Sequence, residues 1–134
     1  MGHRVFLDAN VLFSAAHRAQ NGLLALWALP DTTLVTSDYA ALEARRNLEG
    51  EERRSRLDAL CASVEIVSLD TDARTLFTTI ALPDKDWPIL LAAIESRATH
   101  LLTGDAKHFG GLYGSTIEGV LIVRPVAYLR SLDE

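Results

Sequence analysis

The sequence predicts an α/β fold, a three-layer domain over residues 1–134 with a central, mainly parallel five-stranded sheet flanked by helices. Three observations predict it. First, short apolar runs of strand length alternate with helix-length segments, the pattern of a parallel sheet with right-handed crossovers. Second, two of those runs end alike: Arg4-Val5-Phe6-Leu7-Asp8 and Thr99-His100-Leu101-Leu102-Thr103-Gly104-Asp105 both stop at an aspartate. Side by side, they would hold two carboxylates at one edge of one sheet, where open parallel sheets place their ligands. Third, no internal repeat, linker or low-complexity stretch interrupts the alternation, and 134 residues suit one domain with a real core.

The elements follow in order. Arg4 to Leu7 is the first strand, and its continuous apolar run Val5-Phe6-Leu7 suits burial on both faces. Val11 to Ala19 reads as a short helix that Asn21-Gly22 breaks, and Gly22 to Leu29 as a strongly apolar helix ended by Pro30. Thr33 to Thr36 is the second strand, and Ser37 or Asp38 caps a helix running from Tyr39 to Leu48. Gly50 separates it from a helix over Glu51 to Val64, whose acidic start suits the helix dipole. Glu65 to Ser68 is the third strand and Asp70 to Ile80 a further helix. The polar connection Leu82-Pro83-Asp84-Lys85-Asp86 leads into a helix over Trp87 to Ala98, with Pro88 in its first turn, where the missing N–H costs nothing. His100 to Thr103 is the fourth strand, Asp105 to Tyr113 a loop with one helical turn, Gly119 to Val123 the fifth strand and Pro125 to Ser131 a terminal helix.

Composition narrows the function. With 49% hydrophobic and 23% charged residues the chain reads as globular rather than disordered. No apolar stretch reaches the length of a membrane span, and Met1 to Arg4 leads into the first strand without a signal-peptide pattern. One cysteine, Cys61, excludes an internal disulfide and a cysteine-cluster zinc site. His3, His17, His100 and His108 lack zinc-ligand spacing. These features point to the cytoplasm. The net charge of −5 is the wrong sign for an ordinary nucleic-acid binder. A site that gathers carboxylates around a cation makes a protein acidic, however, and the ion reverses the local sign.

Four acids fall at strand ends or helix starts rather than on solvent faces. Asp8 and Asp105 follow strands, Asp86 opens the Trp87 helix, and Glu43 lies within two turns of the second strand. Four carboxylates brought together repel one another, and burial raises their pKa values. Hard divalent cations relieve that repulsion, and an oxygen-only donor set points to Mg2+ or Mn2+. Such a site can activate water and neutralise a phosphodiester. Asp84 competes with Asp86 for this role; Asp86 is favoured because the helix beside it fixes its direction.

The segments Asp8-Ala9-Asn10-Val11-Leu12, Ser37 to Glu43, Asp86-Trp87-Pro88-Ile89-Leu90-Leu91-Ala92-Ala93 and Thr103-Gly104-Asp105 resemble, in order and spacing, the motifs of the PIN-domain ribonucleases, which include the VapC-like toxins. The resemblance covers nearly the whole chain. It implies a flavodoxin-like sheet and metal-dependent cleavage of RNA, with Asp8, Glu43, Asp86 and Asp105 matching the family's acidic quartet. Asn10 and Thr103 match its supporting polar residues, which orient a carboxylate or a water. Ala106 to Gly114 resembles the loop after the last acid. Many small members are toxins of toxin–antitoxin pairs and commonly dimers, so an antitoxin protein and a homodimer are the expected partnerships. Arg45, Arg46, Lys107 and His108 are candidates for substrate contact, against the plain alternative of solvated side chains. Two other classes compete. One is another α/β enzyme: a haloacid-dehalogenase-like phosphatase would use Asp8 as nucleophile but wants a second Asp where Asn10 stands, and a receiver domain wants an acidic pair that this chain lacks. A PIN-like binding module without catalysis keeps the fold and cleaves nothing.

Overall fold

The computed structural model describes residues 2–68 and 82–133; the helix expected over Asp70 to Ile80 lies outside them. Six strands form one sheet in the order β3-β2-β1-β4-β6-β5. They are β1 (His3–Leu7), β2 (Thr32–Ser37), β3 (Glu65–Val67), β4 (His100–Leu102), β5 (Thr116–Ile117) and β6 (Val120–Val123). The first four and β6 pair in parallel, and β5 pairs antiparallel with β6. The sheet therefore has one strand more than the five expected. The addition is a tight hairpin in which Glu118 and Gly119 both take positive φ, +49° and +86°, as a two-residue hairpin turn requires. The architecture is the expected α/β arrangement, a mainly parallel sheet with helices around it.

β1 is central, with β2 on one side and β4 on the other. After β1 the chain moves outward through β2 and β3, then returns across β1 to β4. The point where strand order reverses lies between the carboxyl ends of β1 and β4, which opens a crevice there. Val5, Phe6, Leu7, Leu101 and Leu102 are fully buried, as the unbroken apolar runs require of a sheet covered on both faces.

Six helices are described: α1 (Ala9–His17), α2 (Asp38–Asn47), α3 (Glu51–Cys61), α4 (Trp87–Glu95), α5 (Ala106–Phe109) and α6 (Pro125–Ser131). α1 starts two residues earlier than expected because Asp8 caps it, accepting the Ala9 N–H at 2.6 Å. Gly22–Ala28 is a 3-10 helix rather than an α-helix. Leu29 must stay extended before Pro30, and only Leu26 of the segment is buried, so no broad apolar face drives a longer helix. α4 carries the densest packing, with Trp87 and every residue from Ile89 to Ala93 buried. It contacts β2, β4 and α2, which fixes the entry to the helix against the sheet. α2 lies close on α1 through the fully buried small side chains of Ala40 and Ala44.

Candidate active site

The site begins with strand register. Leu7 pairs with Leu102, so the next residues, Asp8 and Thr103, emerge together at the carboxyl edge. Both are buried, Asp8 to 4% exposure and Thr103 to zero. Thr103 Oγ1 donates to Asp8 Oδ2 at 2.8 Å, and Asn10 Nδ2 donates to the same oxygen at 3.1 Å. Asn10 is itself held by the Gly104 N–H, which reaches its Oδ1 at 2.8 Å. The Asp105 N–H reaches Thr103 Oγ1 at 3.1 Å. Asn10 and Thr103 thus tie the Asp8 carboxylate to the backbone that carries Asp105. Gly104 leaves room for this approach: a Cβ there would lie 3.3 Å from Asn10 Oδ1, a tight contact.

Two helices bring the other acids. Ser37 caps α2, its Oγ accepting the Ala40 N–H at 3.1 Å, and the helix turns Glu43 and Asn47, four residues apart, toward the same space. Asp86 stands at the start of α4, 7% exposed, and its side chain makes no capping hydrogen bond. Its carboxylate is therefore not used by the helix it opens. Asp105 does cap, accepting the His108 N–H on Oδ1 at 3.2 Å. The three-residue step from Asp105 brings the His108 ring back over the acids, where Nδ1 donates to Asp105 Oδ2 at 2.8 Å. Phe109, fully buried, anchors this short helix, and the Tyr113 hydroxyl donates to the Thr103 carbonyl at 2.8 Å.

Asp8, Glu43, Asp86 and Asp105 all line one cavity of about 450 Å³, with Asn10, Phe13, Asn47, Lys85 and Gly104 among its walls. Asp84 is exposed and not part of that wall. Burial pushes the Asp8 carboxyl up to about 6. The Thr103 and Ala9 hydrogen bonds oppose that rise, and the charges of Asp86 and Glu43 add to it. Asp86 is also raised, chiefly by burial; His108 and Lys85 work against the rise and Asp105 with it. Tyr39 is raised by burial and then by the negative charges of Glu43, Asp86 and Asp8.

The donor set fits a hard divalent cation. Asp86 Oδ2 is buried without a hydrogen bond and lies 3.0 Å from His108 Nδ1. A buried carboxylate oxygen without a hydrogen bond is costly, and a bound cation would satisfy it. Asp86, Asp105 and His108 each offer one ligand atom, all within 4.8 Å of one another.

Among the remaining candidates, Arg45 is committed elsewhere, its Nη1 holding both oxygens of Asp58 at 3.1 Å and joining α2 to α3. Arg46 and Lys107 are exposed and outside the cavity wall. His108, read from sequence as a substrate contact, instead bonds to a site acid. Lys85 and Tyr39 were not anticipated; the Tyr39 hydroxyl donates to the Lys85 carbonyl at 2.8 Å and fastens the loop before Asp86 to α2. The adjacency of Lys85 to Asp86 was the available signal for the first.

No protein-family model and no curated protein matches the chain. Solved structures do. One is a chain of VapBC2 from Rickettsia felis bound to a DNA fragment from their promoter, at 18% identity and a TM-score of 0.66, covering 90% of this chain and 98% of that one. Another is a chain of VapBC-1 from nontypeable Haemophilus influenzae, at 18% identity and a TM-score of 0.62, covering 92% and 98%. Likeness at this identity speaks for the fold, and it agrees with the PIN-like architecture. No described helix is long and apolar enough to cross a membrane.

Proposed function

We propose that residues 1–134 form one PIN-class nuclease domain, a divalent-metal-dependent endoribonuclease acting as the toxin of a toxin–antitoxin pair. The observation that carries this reading is the convergence of Asp8, Glu43, Asp86 and Asp105 on one cavity at the switch point of the sheet. The likeness to chains of two VapBC complexes supports the toxin part. In this reading the four carboxylates are the ligands of Mg2+ or Mn2+. When bound, the cation supplies charge neutralisation at the phosphodiester and acidifies the attacking water.

The chain's own residues do the rest. Thr103 and Asn10 hold Asp8 in one orientation, so no side-chain search precedes ligation. Glu43 lines the same cavity as Asp8 from a separate helix, and Lys85, also in its lining, offers a positive charge to an incoming phosphate. The acidic cavity also attracts cationic side chains. A partner antitoxin is therefore expected to insert an Arg or Lys among the four acids, and a homodimer belongs to the same reading. The test is cleavage of a structured RNA by the purified chain in Mn2+, in chelator, and after Mn2+ is restored, with the product ends identified. The reading expects metal-restored cleavage leaving 5′-phosphate and 3′-hydroxyl ends; cleavage indifferent to chelator would overturn it.

A further inference from the structure

We propose that His108 is itself a metal ligand, so that one ion site is built from two carboxylates and an imidazole and takes Mn2+ and the later first-row divalent ions ahead of Mg2+. The inference rests on the metal-dependent reading above and changes the donor set within it from oxygen alone to oxygen and nitrogen.

The geometry comes first. His108 Nδ1 lies 2.8 Å from Asp105 Oδ2 and 3.0 Å from Asp86 Oδ2. For ligand bonds of about 2.1 Å, adjacent donors of an octahedral ion stand about 3.0 Å apart and opposite ones about 4.2 Å. The two imidazole–carboxylate distances are therefore those of neighbouring ligand positions. Asp86 Oδ2 supplies the second, independent observation. It is buried and has no hydrogen bond, its near contact being His108 Nδ1 itself.

The ring is also held in place. The His108 N–H bonds to Asp105 Oδ1, and the adjacent Phe109 is fully buried. Those constraints fix the backbone from which the ring reaches the acids. The side chain is 21% exposed, so when Nδ1 gives up its hydrogen bond to Asp105 and binds the ion, Nε2 can carry the ring's proton.

Chemistry then sets the preference. Mg2+ favours oxygen donors and keeps its waters, whereas imidazole nitrogen adds affinity for first-row ions in the rising order from Mn2+ through Co2+ to Ni2+. Removing the ring should cost those ions a ligand. For Mg2+, it should remove only a donor that competes for the carboxylates.

The test uses the full chain with each ion alone. Titration calorimetry should show Mn2+ and Co2+ affinity falling at least about tenfold in His108→Ala, on the scale of ligand-sphere losses, with Mg2+ affinity unchanged or tighter. Electron spin-echo measurements on wild type loaded with Mn2+ should show nitrogen coupling from a directly bound imidazole, a readout that needs neither activity nor the variant. Mn2+ binding without nitrogen coupling, or equal losses for Mg2+ and Mn2+ in His108→Ala, overturns the ligand assignment and leaves the four-acid reading intact. Failure of wild type to bind any of the three ions overturns both.

Discussion

Asp8 makes the metal-free protein less stable as pH rises. Its carboxyl sits at about 6 in the folded chain against an ordinary 3.8, so the native state holds that proton more tightly than the unfolded state does. The associated stability is fully present below about pH 4 and is lost as pH climbs through 6, with the loss complete above about pH 7. At about 1.4 kcal/mol for each tenfold change in proton affinity, the difference amounts to about 3 kcal/mol. The perturbation that isolates it is Asp8→Asn, which cannot titrate. Urea denaturation of both proteins in chelator, at intervals from pH 4 to pH 8, gives a difference in unfolding free energy that should move by about 2 kcal/mol, most of the full effect, in favour of the variant. Asn faces the donors at Thr103 and Asn10 with an amide, which shifts the whole difference but not its pH dependence. Saturating Mn2+ should restore wild type at the alkaline end, since a ligand that binds only the folded state stabilises it. A difference between the two proteins that stays constant across this pH range would refute the assignment of Asp8 as a buried, charge-crowded acid.

Three other outcomes follow from the same geometry. In chelator, Asp86→Asn should melt at or above the wild-type temperature because its carboxylate is buried and crowded; Mn2+ should raise wild type and Asp84→Asn more than Asp86→Asn, and a Mn2+ shift lost only in Asp84→Asn would reverse the choice of acid. Gly104→Ala should destabilise the fold by about 1 kcal/mol, because the new Cβ crowds Asn10 Oδ1; a gain in the urea midpoint, the usual benefit of replacing glycine, would show that the contact yields freely. Phe109→Ala should cost about 3–5 kcal/mol on burial grounds and weaken Mn2+ binding through Asp105 and His108; unchanged binding in a folded variant would mean that α5 holds its place without Phe109.

What the sequence made legible follows from how locally each feature is determined. β1 and β4 could be read because their apolar runs are unbroken, and an aspartate at the end of such a run has little choice of position. Asp86 could be read because Pro88 and the apolar residues after it fix where α4 begins. β5 escaped notice since Glu118-Gly119 is a weaker turn signal than Asn-Gly, and a two-residue strand has no periodicity to detect. Gly22 to Leu29 read as a helix on apolarity alone; the 3-10 form of Gly22–Ala28 depends on the Asn21 cap and the restraint before Pro30. His108 read as a loop side chain because its role depends on Asp105 starting a helix, which places the ring three residues on over that same acid. Arg45 read as a free cation since its partner, Asp58, belongs to another helix thirteen residues away. Contacts between elements, unlike those within them, leave no mark on spacing.

RNA cleavage under single-turnover conditions by wild type and Asp8→Asn, purified in parallel and assayed with Mn2+ and with chelator, tests the four-acid catalytic centre most directly. Asp8→Asn keeps the shape of the side chain and removes one charged ligand. Cleavage in Mn2+ should therefore fall at least about a hundredfold, the scale seen when the main electrostatic element of a site is removed, and both proteins should be inert in chelator. Equal cleavage by the two proteins in Mn2+ would contradict the account, because the acid at the centre of the sheet would then take no part in the reaction.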